Sequence, residues 1–202
     1  MTQRVILATG NVSKVKEIRA IFDDLDLELL PQTEFGLESP EETGETFAEN
    51  ALQKAVFAAN HLGFPAIADD SGIAIDALNG RPGVRSARYA GQDSTDDQNV
   101  DRLLYELRDV PDEKRAACFH CAAVFVRPSD DKRAVVAEGM WRGTILRERR
   151  GIGGFGYDPV FYDITRMKTG AEMSRKEKNI VSHRGKEFKR LRGLIEDAPD
   201  WI

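Results

Sequence analysis

Four stretches of the chain are polar or glycine-rich where packing alone would not require it. Asp69-Asp70-Ser71-Gly72 follows an apolar run at residues 65–68. This places the acidic pair in a loop at the end of a strand, where α/β sheets usually hold their ligands. Adjacent carboxylates repel when both are ionised, so a compensating cation is expected. Mg²⁺ fits, because it takes oxygen ligands, keeps several waters and shares the phosphates of a substrate. The loop at residues 38–45 could supply another carboxylate. The competing reading is a turn whose aspartates cap neighbouring amides.

Thr9-Gly10-Asn11-Val12-Ser13-Lys14 stands between a strand pattern and a helix pattern. A helix N-terminus offers free amides and the positive end of the dipole, which suits a phosphate, and Lys14 adds a point charge. The spacing is not that of a Walker loop, and by the general rules for such turns an ordinary strand-to-helix turn with a surface lysine is the commoner reading. The last two stretches are Gly153-Gly154-Phe155-Gly156-Tyr157-Asp158-Pro159 and Ser182-His183-Arg184-Gly185. Aromatic rings flanked by glycines can approach a flat ligand such as a base, or Phe155 can simply fill the core. His183 and Arg184 offer donors, although by residue type such a pair is commonly exposed.

The elements that must position these residues follow from apolar spacing. Residues 4–9 read as a buried strand, and Val15, Ile18, Ile21, Phe22 and Leu25 recur on one helical face. Residues 27–30 suggest a second strand. Thr46 and Glu49 form a capping box for a helix with Phe47, Ala51, Ala55, Ala58, Ala59 and Leu62 on one side. Another strand begins at residues 65–68, residues 79–83 form a loop, and residues 94–110 form a helix. Residues 115–126 and 134–142 are two long strands, and a second capping box opens at Ser174. The chain closes on a helix that turns Phe188, Leu191, Leu194 and Ile195 inward. The expected architecture is α/β: a long twisted mixed sheet flanked by helices, with two lobes and a substrate groove between them, forming one domain over residues 1–202.

Composition narrows the function. With 41% hydrophobic and 31% charged residues the chain is an ordinary globular protein. No apolar run approaches the ~18 residues of a membrane span, and the first residues lack signal-peptide character, so no membrane partner and a cytoplasmic location are expected. A net charge of −5 argues against a general nucleic-acid binder. The charge is uneven: residues 38–49 hold five Glu and no Lys or Arg, whereas residues 166–192 hold ten Lys/Arg and three Glu. Cys118 and Cys121 are spaced C-x-x-C but fall on an expected strand, where residues three apart face opposite sides. A redox or metal role is therefore not expected of them.

Together these stretches resemble one known family, the inosine/xanthosine triphosphate pyrophosphatases of the bacterial type. The resemblance rests on ILATGNVSKVKE at 6–17, EETGETFAENALQKA at 41–55, PAIADDSGIAIDALNGRPGVRSARYAG at 65–91, GGFGYDPVF at 153–161 and EMSRKEKNIVSHRG at 172–185. It implies Mg²⁺-dependent hydrolysis of non-canonical purine nucleoside triphosphates to monophosphate and pyrophosphate, by a homodimer. It implies that the segment from Thr9 to Lys14, with Lys54, binds the triphosphate and that Ser71 contacts substrate. Asp70 would hold the metal with Glu41 and act as general base, with Asp69 supporting the metal or the water. Phe155, Gly156, Tyr157 and Asp158 would form the base pocket, Phe155 by stacking. Lys178, Ser182, His183 and Arg184 would read the base edge and the phosphates. Donors such as Lys178 or Arg184 suit the 6-keto group of hypoxanthine and xanthine and leave the amino group of adenine unmatched. Guanine shares the keto group, so its rejection must act on the 2-amino group. The alternatives are a pyrophosphatase for other modified nucleotides and a non-catalytic nucleotide- or RNA-binding module.

Overall fold

The structure, a computed structural model, describes residues 2–197, so the expected domain ends at residues 1 and 202 lie outside the described residues. The chain runs β1 (Gln3–Leu7), α1 (Val12–Arg19), β2 (Leu27–Pro31), α2 (Phe47–Leu62), β3 (Ala66–Ile75), α3 (Asp96–Glu106), β4 (Ala116–Arg127) and β5 (Asp130–Ile145). It ends with β6 (Phe161–Asp163), β7 (Lys168–Thr169), α4 (Arg175–Val181) and α5 (His183–Glu196), and short 3₁₀ turns join several of these elements. The seven strands form one sheet in the order β2-β1-β3-β4-β5-β6-β7. β1 is parallel to β2 and β3, whereas β6 is antiparallel to β5 and β7. The expected α/β class and mixed sheet are therefore present.

Two compact units divide the chain: one holds residues through 70, 121–139 and from 184 onward, and the other holds 71–120 and 140–183. In the first unit the two-residue period of a strand sorts side chains to two faces. Val5 and Leu7 of β1, Ile67 of β3, and Ala123 and Phe125 of β4 pack with Val15 and Ile18 of α1 and Phe188, Leu191 and Ile195 of α5. Ile6, Ala66, Ala68, Ala122, Val124 and Val126 point the other way, onto Ala51, Ala55, Ala58 and Ala59 of α2. Those four alanines are fully buried, and their size lets the helix lie close to the sheet. The Thr46–Glu49 capping box starts α2 as the sequence predicts, and Gly63 ends it in the left-handed region at φ 72°. In the second unit Ile73, Ile75, Leu103, Phe119, Trp141 and Phe161 share one core. Arg115 is 2% exposed there and donates to the carbonyls of Leu107, Ile145 and Leu146.

Three expectations need correction. The acidic pair is not in a loop after a strand, because β3 runs through Asp69-Asp70-Ser71-Gly72 to Ile75. The first helix stops at Arg19, and Ile21, Phe22 and Leu25 follow in tight i→i−3 turns that still bury Ile21 and Phe22. Asp23 and Asp24 oppose a longer helix, since carboxylates are unfavourable at the negative end of its dipole. Leu194 does not face inward but is 39% exposed, beside a buried Ile195. Cys118 and Cys121 are buried and form no disulfide.

Candidate active site

β1 lies between its two parallel neighbours, so the chain leaves it on α1 toward β2 and later reaches β3 through α2 on the opposite face. Such a reversal opens a crevice beyond the carboxyl end of the central strand. The loop at residues 8–11 emerges there, and Ala8 is already bonded to Ile67 of β3 (N–H to O, 2.8 Å). Asn11 shapes the turn into α1: its Oδ1 accepts from the amides of Ser13 (2.9 Å) and Lys14 (3.1 Å), and its own amide donates to Thr9 Oγ1. Thr9 is half-buried, while Gly10, Asn11, Val12 and Ser13 are exposed. The turn thus presents backbone and short side chains to solvent at a helix N-terminus.

The two aspartates follow the alternation of β3. Asp69 falls on the face covered by α1 and α5, where Lys14 Nζ lies 2.9 Å and Arg184 Nε 3.4 Å from its Oδ2. Asp70 falls on the face covered by α2, where Asn50 Nδ2 donates to Oδ2 (3.1 Å) and Lys54 Nζ lies 3.4 Å from Oδ1. Both are buried, at 1% and 6% exposure, yet their charge states are driven apart. Burial alone would raise Asp69, but the cations of Lys14 and Arg184 outweigh it and hold the carboxyl well below the usual range. Burial raises Asp70 above its ordinary value, and the nearby Glu42 carboxylate adds to this against the pull of Lys54. Neighbouring carboxyls pushed in opposite directions are the pattern of a fixed anion beside a proton acceptor.

The other predicted residues of this unit have definite places. Lys54 is 7% exposed and bridges Asp70 to Glu42, its Nζ 2.8 Å from Glu42 Oε1. Burial lowers its pKa, but the charges of Asp70 and Glu42 prevail and raise it. Glu41 is exposed, and its backbone carbonyl accepts from Gln53 Nε2 (2.8 Å). The carboxylate that the acidic loop brings to Lys54 and Asp70 is that of Glu42. Arg184 is 3% exposed, and its Nη1 lies 2.8 Å from Glu17 Oε2. Among the described residues no group of three or more His, Cys, Asp and Glu side chains is arranged to hold a metal ion.

The second unit gathers the aromatic stretch. Phe155 is half-buried, with Lys178 Nζ 4.6 Å from its ring centre. Asp158 Oδ2 accepts from Lys178 Nζ (2.6 Å) and from the Phe155 amide (2.9 Å). The Gly156 amide donates to Asp96 Oδ2 (2.7 Å), and the Tyr157 hydroxyl donates to the Ser86 carbonyl (2.8 Å). Burial pushes the Tyr157 phenol far above its ordinary value, so it acts as a neutral donor. Ser182 and His183 are buried at 3% and 4% exposure, and the His183 ring stacks on Phe119 at 4.7 Å and 10°. The His-Arg pair is therefore not on the surface. Ser71 is half-buried on β3.

Sequence reasoning passed over Glu17, Glu42, Asn50, Asp96 and Glu187. Asn50 carried a signal, because it stands four residues before Lys54 and so shares its helical face. Glu17 stands three after Lys14 in the same way. Asp96 and Glu187 carried none.

Residues 5–194 match the model of the Ham1 family. The chain belongs to that family. It is 52% identical over 196 residues, 97% of this chain and 100% of the other, to a protein of Salmonella typhimurium named dITP/XTP pyrophosphatase. It is 51% identical over the same shares to one of that name from Escherichia coli K12. The solved structure of a HAM1 protein from Coxiella burnetii, 43% identical, superposes with a TM-score of 0.90 over 97% of this chain and 100% of that one. Among the described residues no helix is long and apolar enough to cross a membrane.

Proposed function

We propose that this protein hydrolyses non-canonical purine nucleoside triphosphates (dITP/ITP and XTP/dXTP) to the monophosphate and pyrophosphate, clearing such bases from the pool used to make DNA and RNA. The names of its relatives support the substrate class. The observation that carries the chemistry is the placing of Asp69 and Asp70 side by side in one strand, each facing a lysine, with Asp69 held below and Asp70 raised above the ordinary carboxylate value.

In this reading a water oxygen attacks the α-phosphorus, its proton passes to an oxygen of Asp70, and the bond to the pyrophosphate oxygen breaks. Phosphoryl-type transfer asks mainly for positioning and charge neutralisation. The turn from Thr9 to Lys14, at the N-terminus of α1, receives the phosphate oxygens. Lys14 and Lys54 share their charge between the carboxylates and the polyphosphate. Arg184, locked to Glu17 and Asp69, keeps Asp69 ionised. The donor set fits Mg²⁺: hard carboxylate oxygens from Asp70 and from Glu41 or Glu42, one or two being the number this ion takes from protein beside waters and phosphate oxygens. Once bound, it neutralises phosphate charge. Phe155 stacks on the base, Lys178 meets the 6-keto group, and Ser71, Ser182 and His183 line the substrate. A homodimer, a single catalytic domain and a cytoplasmic location complete the reading.

The test is product analysis with dITP, XTP, GTP and dATP, with and without Mg²⁺. Metal-dependent monophosphate and pyrophosphate from dITP and XTP, with GTP and dATP slow, is expected. Release of orthophosphate, or no turnover of any purine triphosphate, overturns the reading.

A further inference from the structure

The Asp158 carboxylate is the hub of its surroundings. Its Oδ2 holds both the Lys178 ammonium and the amide of Phe155, and the residue is only 3% exposed. Its backbone ties in the next turn, where the Ala171 amide donates to the Asp158 carbonyl (3.2 Å) and the Gly153 amide to the Ala171 carbonyl (3.1 Å). Two glycines leave room for the carboxylate. A Cβ on Gly154 would overlap Asp158 Oδ2, and one on Gly170 would lie 2.6 Å from Oδ1 and 3.0 Å from Cγ. Gly154 also needs a positive φ of 74°, whereas Gly170 does not adopt one. At Gly170 the absence of a side chain therefore answers to Asp158 alone.

We propose that Asp158 is a positioning residue rather than a reader of the base, and that Gly170, just after β7, is kept bare so that Asp158 can fix Lys178 over the Phe155 ring. Resting on the function proposed above, this makes the turn after β7 a determinant of 6-keto against 6-amino discrimination. Asp158 Oδ2, engaged by an ammonium and an amide, has its acceptor directions occupied from the protein side. The ammonium it orients is a donor without acceptor capacity, so it rewards a carbonyl oxygen and gives an amino group nothing. Displacing the carboxylate loosens the lysine and the ring together. That lowers efficiency on keto substrates and leaves the poor amino substrate nearly unchanged.

The test uses the full-length protein with Gly170→Ala, Asp158→Ala and the double variant, each checked for a cooperative thermal transition. Two quantities are read: the ratio of kcat/KM for dITP to that for dATP, and the rate at which an amine-reactive reagent labels Lys178, followed by mass spectrometry. Gly170→Ala is expected to lower the ratio by about tenfold, chiefly through KM for dITP, and to raise Lys178 labelling several-fold. In the Asp158→Ala background, where the obstructing carboxylate is gone, Gly170→Ala should add little, which is the coupling expected of residues acting through one contact. Unchanged Lys178 labelling in both single variants, or a Gly170→Ala effect that persists in full without Asp158, overturns the proposal. If the wild type turns over no purine nucleotide, the proposed function fails, and the labelling pattern still decides the positioning claim.

Discussion

Glu187→Gln should make the protein more stable, and by an amount that grows with pH. Glu187 lies on α5 and is 1% exposed. The Cys121 thiol and the Ala123 amide face it, and among the described residues neither carboxyl oxygen has a full hydrogen bond. Burial, reinforced by the negative charge of Asp69, pushes its pKa from 4.5 up to about 9. The group is thus protonated in the folded protein at neutral pH and ionised in the unfolded chain. A pKa raised by folding contributes stability that is fully present below the unfolded value and is lost as pH climbs through the folded one. Between about pH 5 and 9 the folded state holds one extra proton, so stability falls by about 1.4 kcal/mol per pH unit from this group. Glutamine mimics the protonated carboxyl in shape and cannot ionise in either state. The advantage of Glu187→Gln should therefore grow by roughly 3 kcal/mol from pH 5 to pH 7. For a chain of this length that corresponds to roughly 5–11 °C in Tm. Thermal unfolding of both proteins across pH 5–8 is the assay. Parallel Tm-against-pH curves would show that Glu187 is ionised in the folded state and refute the reasoning.

Further outcomes follow from the same geometry. Asp70→Asn keeps the shape but removes the proton acceptor and should cost at least ~10²-fold in kcat, the lower range for a general base; near-normal turnover in a steady-state assay would remove Asp70 from that role. Because burial and Glu42 raise Asp70, and a base must be deprotonated to act, the acid limb of the kcat/KM profile should lie above the ordinary carboxylate value and activity should fall as pH drops through it. Asp69→Asn leaves Arg184 and Lys14 facing a neutral amide and should weaken both the fold and turnover, visible as a lower Tm together with a lower kcat. Arg115→Ala removes a buried guanidinium that donates to the Leu107, Ile145 and Leu146 carbonyls, and an unmet buried carbonyl costs about 1–3 kcal/mol, so denaturant unfolding should show a loss of at least ~1 kcal/mol with substrate KM little changed.

Much of the fold was legible because local signals and tertiary demands agree. The capping box at Thr46, the alanine face of α2 and the apolar run of β1 each meet the environment their pattern requires. The acidic pair was misplaced for the opposite reason. Adjacent ionisable residues read as loop, and only Lys14, Lys54 and Arg184, distant in sequence, make a strand position tolerable for them. The same remoteness hid Glu187 of α5, whose neighbours Cys121 and Asp69 come from β4 and β3. Asp96 was hidden likewise, 60 residues before the glycine amide it holds. Glu41 and Glu42 are chemically alike, and the choice between them at Lys54 is made by how the loop enters α2, through the Gln53 bond to the Glu41 carbonyl. Leu194 escaped the core because Leu191 and Ile195, four apart, already define the inward face.

The proposed function turns on attack of water at the α-phosphorus beside Asp70. Hydrolysis of dITP in ¹⁸O-labelled water, with the products separated and weighed by mass spectrometry, tests it most directly. One labelled oxygen in the deoxyinosine monophosphate and none in the pyrophosphate are expected. Label in the pyrophosphate would place the attack on the β-phosphorus and contradict the proposed attack.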